Sequence, residues 1–210
     1  MIIAQVPEQS VPVVVPPWVW AVLVFAGLIA TFTDLRTMRI PNWLTLPLLA
    51  SGLAYGAARG GWTGLGDAAI GVAIAGAIFV AAYAIAGGGA GDAKLMMALG
   101  AWLGAYPSVV LVLGVTICGL LWAIIVTIYR DGFTAVPVML MHGLFWTRIK
   151  GMMLFRGVIS GTAFRKKSVR DERIYEPERA RPQGWFPYAP AILTGTVAAW
   201  WYWHNHGSLV

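Results

Sequence analysis

Apolar residues in this chain run in long uncharged blocks and do not alternate with polar ones. Pro17 to Thr33, Trp43 to Ala58, Ala68 to Ala86 and Trp185 to Trp203 contain no Asp, Glu, Lys or Arg, and Leu95 to Ile128 runs for 34 residues without one. A bilayer-spanning helix needs roughly 20 such residues. One helix of 34 residues would be about 51 Å long against a hydrocarbon core of about 30 Å, so the sequence predicts a break at Gly104-Ala105-Tyr106-Pro107. The pattern predicts an all-α polytopic membrane protein of six transmembrane helices, the fourth short, with residues 1–210 forming a single integral-membrane domain. Gly71, Ala75, Gly76, Ala77, Ala81 and Ala82 crowd the third span, where small residues permit close helix packing.

Composition agrees: 59% of the 210 residues are hydrophobic and 11% charged, which excludes an ordinary soluble domain at roughly 25% charged. The single cysteine, Cys118, excludes a disulfide framework or a paired-cysteine zinc site. No Lys or Arg precedes the first apolar block, so that block is expected to be a retained anchor, not a cleaved signal.

Charge then orients the spans. Arg36, Arg39, Lys94 and the eleven basic residues between Arg130 and Arg181 fall on connections sharing one side, and Arg59 alone lies opposite. The positive-inside rule places the first group in the cytoplasm and both termini outside. Residues 129 to 184 hold 11 basic and 5 acidic residues, the whole net charge of +6. This excess is therefore topological, and no nucleic-acid partner is expected. Met139, Leu140, Leu144, Phe145, Trp146, Met152, Met153, Leu154 and Phe155, set among His142, Arg148, Lys150 and Arg156, suggest an interfacial amphipathic segment drawn to anionic lipid. The stretch from Arg165 to Arg181 reads as a solvated loop.

Two of the nine acidic residues, Asp34 and Asp92, stand where predicted spans meet the same cytoplasmic side, and ionisable groups there are functional candidates. Pro41 keeps Ile40 out of the helical region, and Asn42 is expected to cap the helix that follows. Asp92 follows Gly87-Gly88-Gly89-Ala90-Gly91, which lets backbone approach closely, and opens a helix with Lys94 one turn in. An aspartate at a span end is commonly a cap or an interface charge. Two of them within reach of each other cannot both ionise easily, and a shared proton makes the acid and base pair of an aspartic protease. Asp67 is expected to pair with Arg59 at the outer face. His142 does not share a side with His204 and His206, so no metal site is expected, and strings for zinc proteases, serine-hydrolase elbows or phosphate loops are missing.

These residues resemble the prepilin peptidase family, polytopic aspartic proteases that process type IV prepilins and archaeal preflagellins. Asp34-Leu35-Arg36 followed by Ile40-Pro41-Asn42 looks like the first family motif, Gly89-Ala90-Gly91-Asp92-Ala93-Lys94 looks like its Gly-x-Gly-Asp-x-Lys motif, and Phe186-Pro187-Tyr188-Ala189-Pro190-Ala191-Ile192 opens the last span as in similar members. The resemblance implies that Asp34 and Asp92 are catalytic, with Arg36, Pro41, Asn42, Gly89, Gly91 and Lys94 as motif support and no cofactor. It implies cleavage after a glycine that ends a short basic leader, at the cytoplasmic face of a bacterial inner membrane. The partners implied are a prepilin or pseudopilin precursor, the lipid bilayer and other pilus assembly proteins. The paired cysteines that accompany N-methylation in bifunctional members do not occur here, so the chain looks like the short, peptidase-only type of tight-adherence pilus systems. The competing readings are a non-enzymatic membrane subunit of a pilus or secretion assembly, and a carboxylate-relay transporter.

Overall fold

The computed structural model describes residues 15–86, 89–131, 141 and 187–206. The expected interfacial segment, His142 and the basic stretch from Arg165 to Arg181 lie outside them. Five helices carry the described fold: α1 (Pro17–Thr37), α2 (Asn42–Ala86), α3 (Ala90–Leu103), α4 (Ala105–Asp131) and α5 (Ala189–His206).

Helix α1 starts where its sequence allows, with Pro17 in the first turn, where a missing N–H costs nothing. It ends at Met38, whose left-handed backbone (φ 52°) turns its N–H onto the Asp34 carbonyl at 2.8 Å. Val19, Trp20, Leu23, Ala26, Gly27, Ala30 and Asp34 form its buried stripe at helical spacing. Phe25, Leu28, Phe32 and Leu35 on the outside are more than half exposed. A helix apolar on both faces belongs in lipid.

α2 is two rods. Gly60 and Gly61 leave helical geometry, and Gly61 has φ 59°, a conformation open to glycine at little cost. The arms fold back on each other through small residues: a Cβ added at Gly56 would lie 2.7 Å from Ala68 Cβ and 2.8 Å from the Gly64 carbonyl oxygen. The second arm packs against α3 even more closely, since a Cβ at Gly71 would run into the carbonyl oxygens of Gly100 and Gly104. Trp102 Nε1 donates to the Leu48 carbonyl at 2.9 Å, tying the end of α3 to the first arm.

The break expected near Gly104 is present. Gly104 has φ 80° and closes α3 with its N–H on Gly100. Asp67 accepts the Ala105 N–H at 3.1 Å and so caps the start of α4, while Arg59 lies over the Tyr55 ring at 5.4 Å. This corrects the expected Asp67–Arg59 pair: at the start of α4 the carboxylate meets an unpaired backbone donor, and the guanidinium finds an aromatic face. α4 and α5 then close along small residues, with a Cβ at Gly114 falling 2.9 Å from the Gly195 carbonyl.

With α2 counted as two arms, the described chain makes six rod-like passes of alternating direction. One end of the bundle gathers the end of α1 and the starts of α2, α3 and α5. The opposite end gathers the start of α1, the Gly60–Gly61 break, the α3–α4 corner and the end of α5. Three helices among the described residues are long and apolar enough to cross a membrane, at Pro17–Thr37, Asn42–Ala84 and Ala105–Tyr129. α3, at 14 residues, is about 21 Å long, shorter than a hydrocarbon core.

Candidate active site

Asp34 is the last member of the buried stripe of α1, one turn beyond Ala30, and only 7% exposed. A carboxylate placed there needs donors. The start of α5 supplies one, since Ala189 N donates to Asp34 Oδ2 at 3.1 Å across 155 residues of sequence. Trp122 of α4 holds that start in place, its Nε1 donating to the Pro187 carbonyl at 3.1 Å.

Asp92 comes from the first turn of α3, whose N-terminal amides favour negative charge. Its carboxylate folds back over Gly89 so closely that a Cβ at Gly89 would overlap it. Gly91 lets the turn after α1 approach, because a Cβ there would sit 3.0 Å from Ile40 Cβ and 3.4 Å from Ile40 N. Two glycines of the Gly-x-Gly-Asp string therefore have separate tasks, one under the carboxylate and one against the α1–α2 turn. The two aspartates lie within electrostatic reach of each other at the same end of the bundle.

Of the other supporting residues, Pro41, Asn42 and Lys94 hold the turn. Lys94 Nζ donates to Asn42 Oδ1 at 2.9 Å, joining the start of α3 to the start of α2. This corrects the expected role of Asn42 as a cap: the Pro41 carbonyl accepts the first helical bonds, from Leu44 at 3.1 Å and Thr45 at 3.4 Å, and the Asn42 side chain is left for Lys94. Arg36 turns outward over the Phe32 ring at 4.2 Å. A cavity of about 440 Å³, lined by Thr33, Thr37, Arg39, Ile40, Pro41, Asn42 and Trp43, borders the turn that follows Asp34. His204 and His206 stack on Trp200 and Tyr202 at the end of α5, at the other end of the bundle.

Tyr188 is the side chain that residue-by-residue reading did not single out. Its ring lies 6.1 Å from that of Phe79, its hydroxyl sits against Gly119 with no room for a Cβ, and it is within electrostatic reach of Asp92. The string from Phe186 to Ile192 marked only the opening of the last span. Nothing in the apolar run around Gly119 marked its partner.

Asp92 lies outside the three membrane-length helices. Burial first, and the charge of Asp34 second, push its carboxyl up from 3.8 to about 7. Between those values the folded chain holds a proton that the unfolded chain has released, so this group's contribution to stability is greatest below about pH 4. It is lost as pH rises towards 7 and is constant above. Melting curves in detergent are expected to show Tm falling over this window in the wild type, with Asp92→Asn removing most of the slope. An equal slope in the variant would assign the effect to another group.

The fold and the site define a membrane-embedded helical protein whose paired carboxylates converge at one end of the bundle. The family model described as the type IV leader peptidase family matches residues 21–124, which take in most of α1, all of α2 and α3 and most of α4 and include both aspartates. That match takes in 104 of the 210 residues, and over them the chain is similar to the type IV leader peptidase family. The chain is similar to the prepilin leader peptidase/N-methyltransferase of Aeromonas salmonicida (strain A449), with 38% identity over 116 residues, covering 51% of this chain and 39% of the relative. It is also similar to the proteins of that name from Aeromonas hydrophila, 47% over 91 residues (39% of this chain, 31% of the relative), and Neisseria gonorrhoeae, 35% over 126 residues (53% and 43%). The chain therefore spans less than half the length of these relatives. No solved structure matches it.

Proposed function

We propose that this chain is a membrane aspartic endopeptidase that removes the short basic leader from type IV prepilin-like precursors, cutting after glycine at the cytoplasmic face of a bacterial inner membrane. The observation that carries this is the convergence of Asp34, pinned by the start of α5, and Asp92, in the first turn of α3, at one end of the bundle. Two carboxylates so placed share one proton near neutral pH, and that proton belongs to the pair. The ionised partner takes a proton from a water, which attacks the scissile carbonyl. The protonated partner gives its proton to the departing amine as the C–N bond breaks, leaving a leader carboxylate, a new N-terminal amine and a singly protonated pair ready for the next water.

The alternating passes put Arg36, Arg39 and Lys94 at the carboxylate end and Arg59 at the other. That distribution supports a cytoplasmic site and six membrane crossings. A precursor's apolar helix already lies in the bilayer, where Phe25, Leu28, Phe32, Leu35, Trp43 and Leu46 offer it exposed apolar surface. The cavity beside Pro41 and Asn42 leaves space for the extended stretch around the scissile bond. The assignment is confined to peptide cleavage; methyl transfer, which the relatives' names include, is not assigned to this chain.

The test is co-expression with a pilin precursor from the same genome, followed by mass measurement of the membrane-bound product. A shortened product with a free amine directly after a glycine is the expected result. A precursor that stays uncut with every cognate pilin would leave the chain as a non-enzymatic subunit of the assembly.

A further inference from the structure

A cavity of about 310 Å³ lies at the end of the bundle remote from the carboxylates, lined by residues that include Tyr55, Arg59, Thr63, Asp67 and Trp102. Its size falls within the range of small-ligand sites. It carries a cation and an anion that do not pair with each other. Arg59 rests on the Tyr55 ring, and Asp67, although it accepts the Ala105 N–H, meets no cation among the described residues. Gly60 keeps the wall low, since a Cβ there would meet nothing closer than Thr63 Oγ1 at 3.5 Å, whereas Gly64 packs against the Gly56 backbone. The neighbouring wall is aromatic: Trp18 stands edge-on to Tyr55 at 5.1 Å and to Trp102 at 5.9 Å, and Tyr55 stacks on Trp102 at 5.2 Å. Trp62, next to the break in α2, is 88% exposed.

We propose that this cavity binds the headgroup of a zwitterionic phospholipid bearing a primary ammonium, with the phosphodiester on Arg59 and the ammonium on Asp67. The depth fits a lipid. The cavity sits at the end of the bundle where α1 and α4 begin, and the exposed Trp18 and Trp62 beside it suit the headgroup level, where interfacial tryptophans gather. The chemistry selects among headgroups. A guanidinium presents paired donors to a phosphodiester, and a primary ammonium presents three N–H donors to a carboxylate. A choline headgroup has no N–H to donate, and a glycerol headgroup brings no positive charge to Asp67. The occupant would fasten the α2 hairpin to the α3–α4 corner, the two elements that Gly56, Asp67 and Gly104 already bring together.

The experiment is native mass spectrometry of the full chain released from vesicles of equal parts phosphatidylethanolamine, phosphatidylcholine and phosphatidylglycerol. The wild type is expected to retain one phosphatidylethanolamine about tenfold over either other lipid, as one charge-assisted pair would give. Arg59→Gln and Asp67→Asn are each expected to remove most of that preference. Asp67→Asn keeps an oxygen for the Ala105 N–H and so spares the corner. Equal retention of all three lipids by the wild type overturns the proposal without any variant, and so does a preference that survives both substitutions. Displacement of the lipid by an equal concentration of soluble glycerophosphoethanolamine would show that the headgroup alone is recognised, and would overturn a lipid as the occupant.

Discussion

Asp34→Asn and Asp92→Asn are each expected to abolish precursor cleavage while leaving a folded, membrane-inserted protein. Acid–base catalysis by a positioned side chain is worth about 10² to 10⁴-fold, so a loss of that size is the least expected from either change. On the proposed mechanism the two carboxylates act as a unit, so the double variant is expected to be little worse than either single one. Folding is spared for separate reasons at the two sites. An asparagine at position 34 still offers an oxygen to the Ala189 N–H, which keeps α5 docked on α1. An asparagine at position 92 removes a charge that burial and Asp34 both disfavour, so that variant is expected to melt higher than the wild type at pH 8. The combination to look for is therefore an inactive protein of equal or greater stability, measured by product mass and by Tm on the same preparations. Residual cleavage by Asp34→Asn at more than about a tenth of the wild-type rate would remove Asp34 from the chemistry.

The second large effect is expected at the seam between α2 and α3. Gly71 and Gly100 face each other so closely that a Cβ on either would overlap the other's carbonyl oxygen, and a Cβ on Gly100 would also lie 2.7 Å from Ala75 Cβ. The obstacle is backbone, which has no rotamer to change, so the helices themselves must separate. Gly100→Ala is expected to cost about 3 kcal/mol, the upper part of the overpacking range, and Gly100→Leu to leave little folded protein. Gly66 is the control. A Cβ there meets nothing within 4 Å, and Gly66→Ala is expected to be neutral or mildly stabilising. Detergent-solubilised yield and Tm of the three variants check the ordering, and a Gly100→Ala protein as stable as Gly66→Ala would contradict the seam. Activity should fall with stability at Gly100, because α3 carries Asp92 and is seated on α2 at this seam.

Several elements were readable from residues in order. The uncharged blocks placed α1, α4 and both arms of α2, because a helix in lipid must be apolar over its length and cannot hide a charge. The break at Gly104 was readable because a glycine and a proline fall within four residues inside a run too long for one helix. Asp34 and Asp92 stood out as rare charges beside long apolar blocks, and each is carried by a string that is specific when read together with its neighbours. The partners of the polar residues were not readable. Asp67 went to a backbone N–H 38 residues away and Asn42 to Lys94 52 residues away, and neither choice has a local signature. Sequence spacing ranks partners by proximity along the chain, whereas an unpaired donor at a helix start competes through space.

Residue order alone establishes that the protein is helical and built for a membrane, where glycine and proline permit it to turn, and which two carboxylates are candidates for chemistry. Those properties follow from single residues and short windows, since apolar length, backbone freedom and charge are local. Packing in three dimensions was needed to show that the arms of α2 join at Gly60–Gly61, that Tyr188 and Ala189 arrive from the far end of the chain to meet Asp34 and Asp92, and that Arg59 and Asp67 share a cavity without pairing. Such outcomes depend on how closely helices can approach, and that is set by which small residues happen to face one another across the bundle.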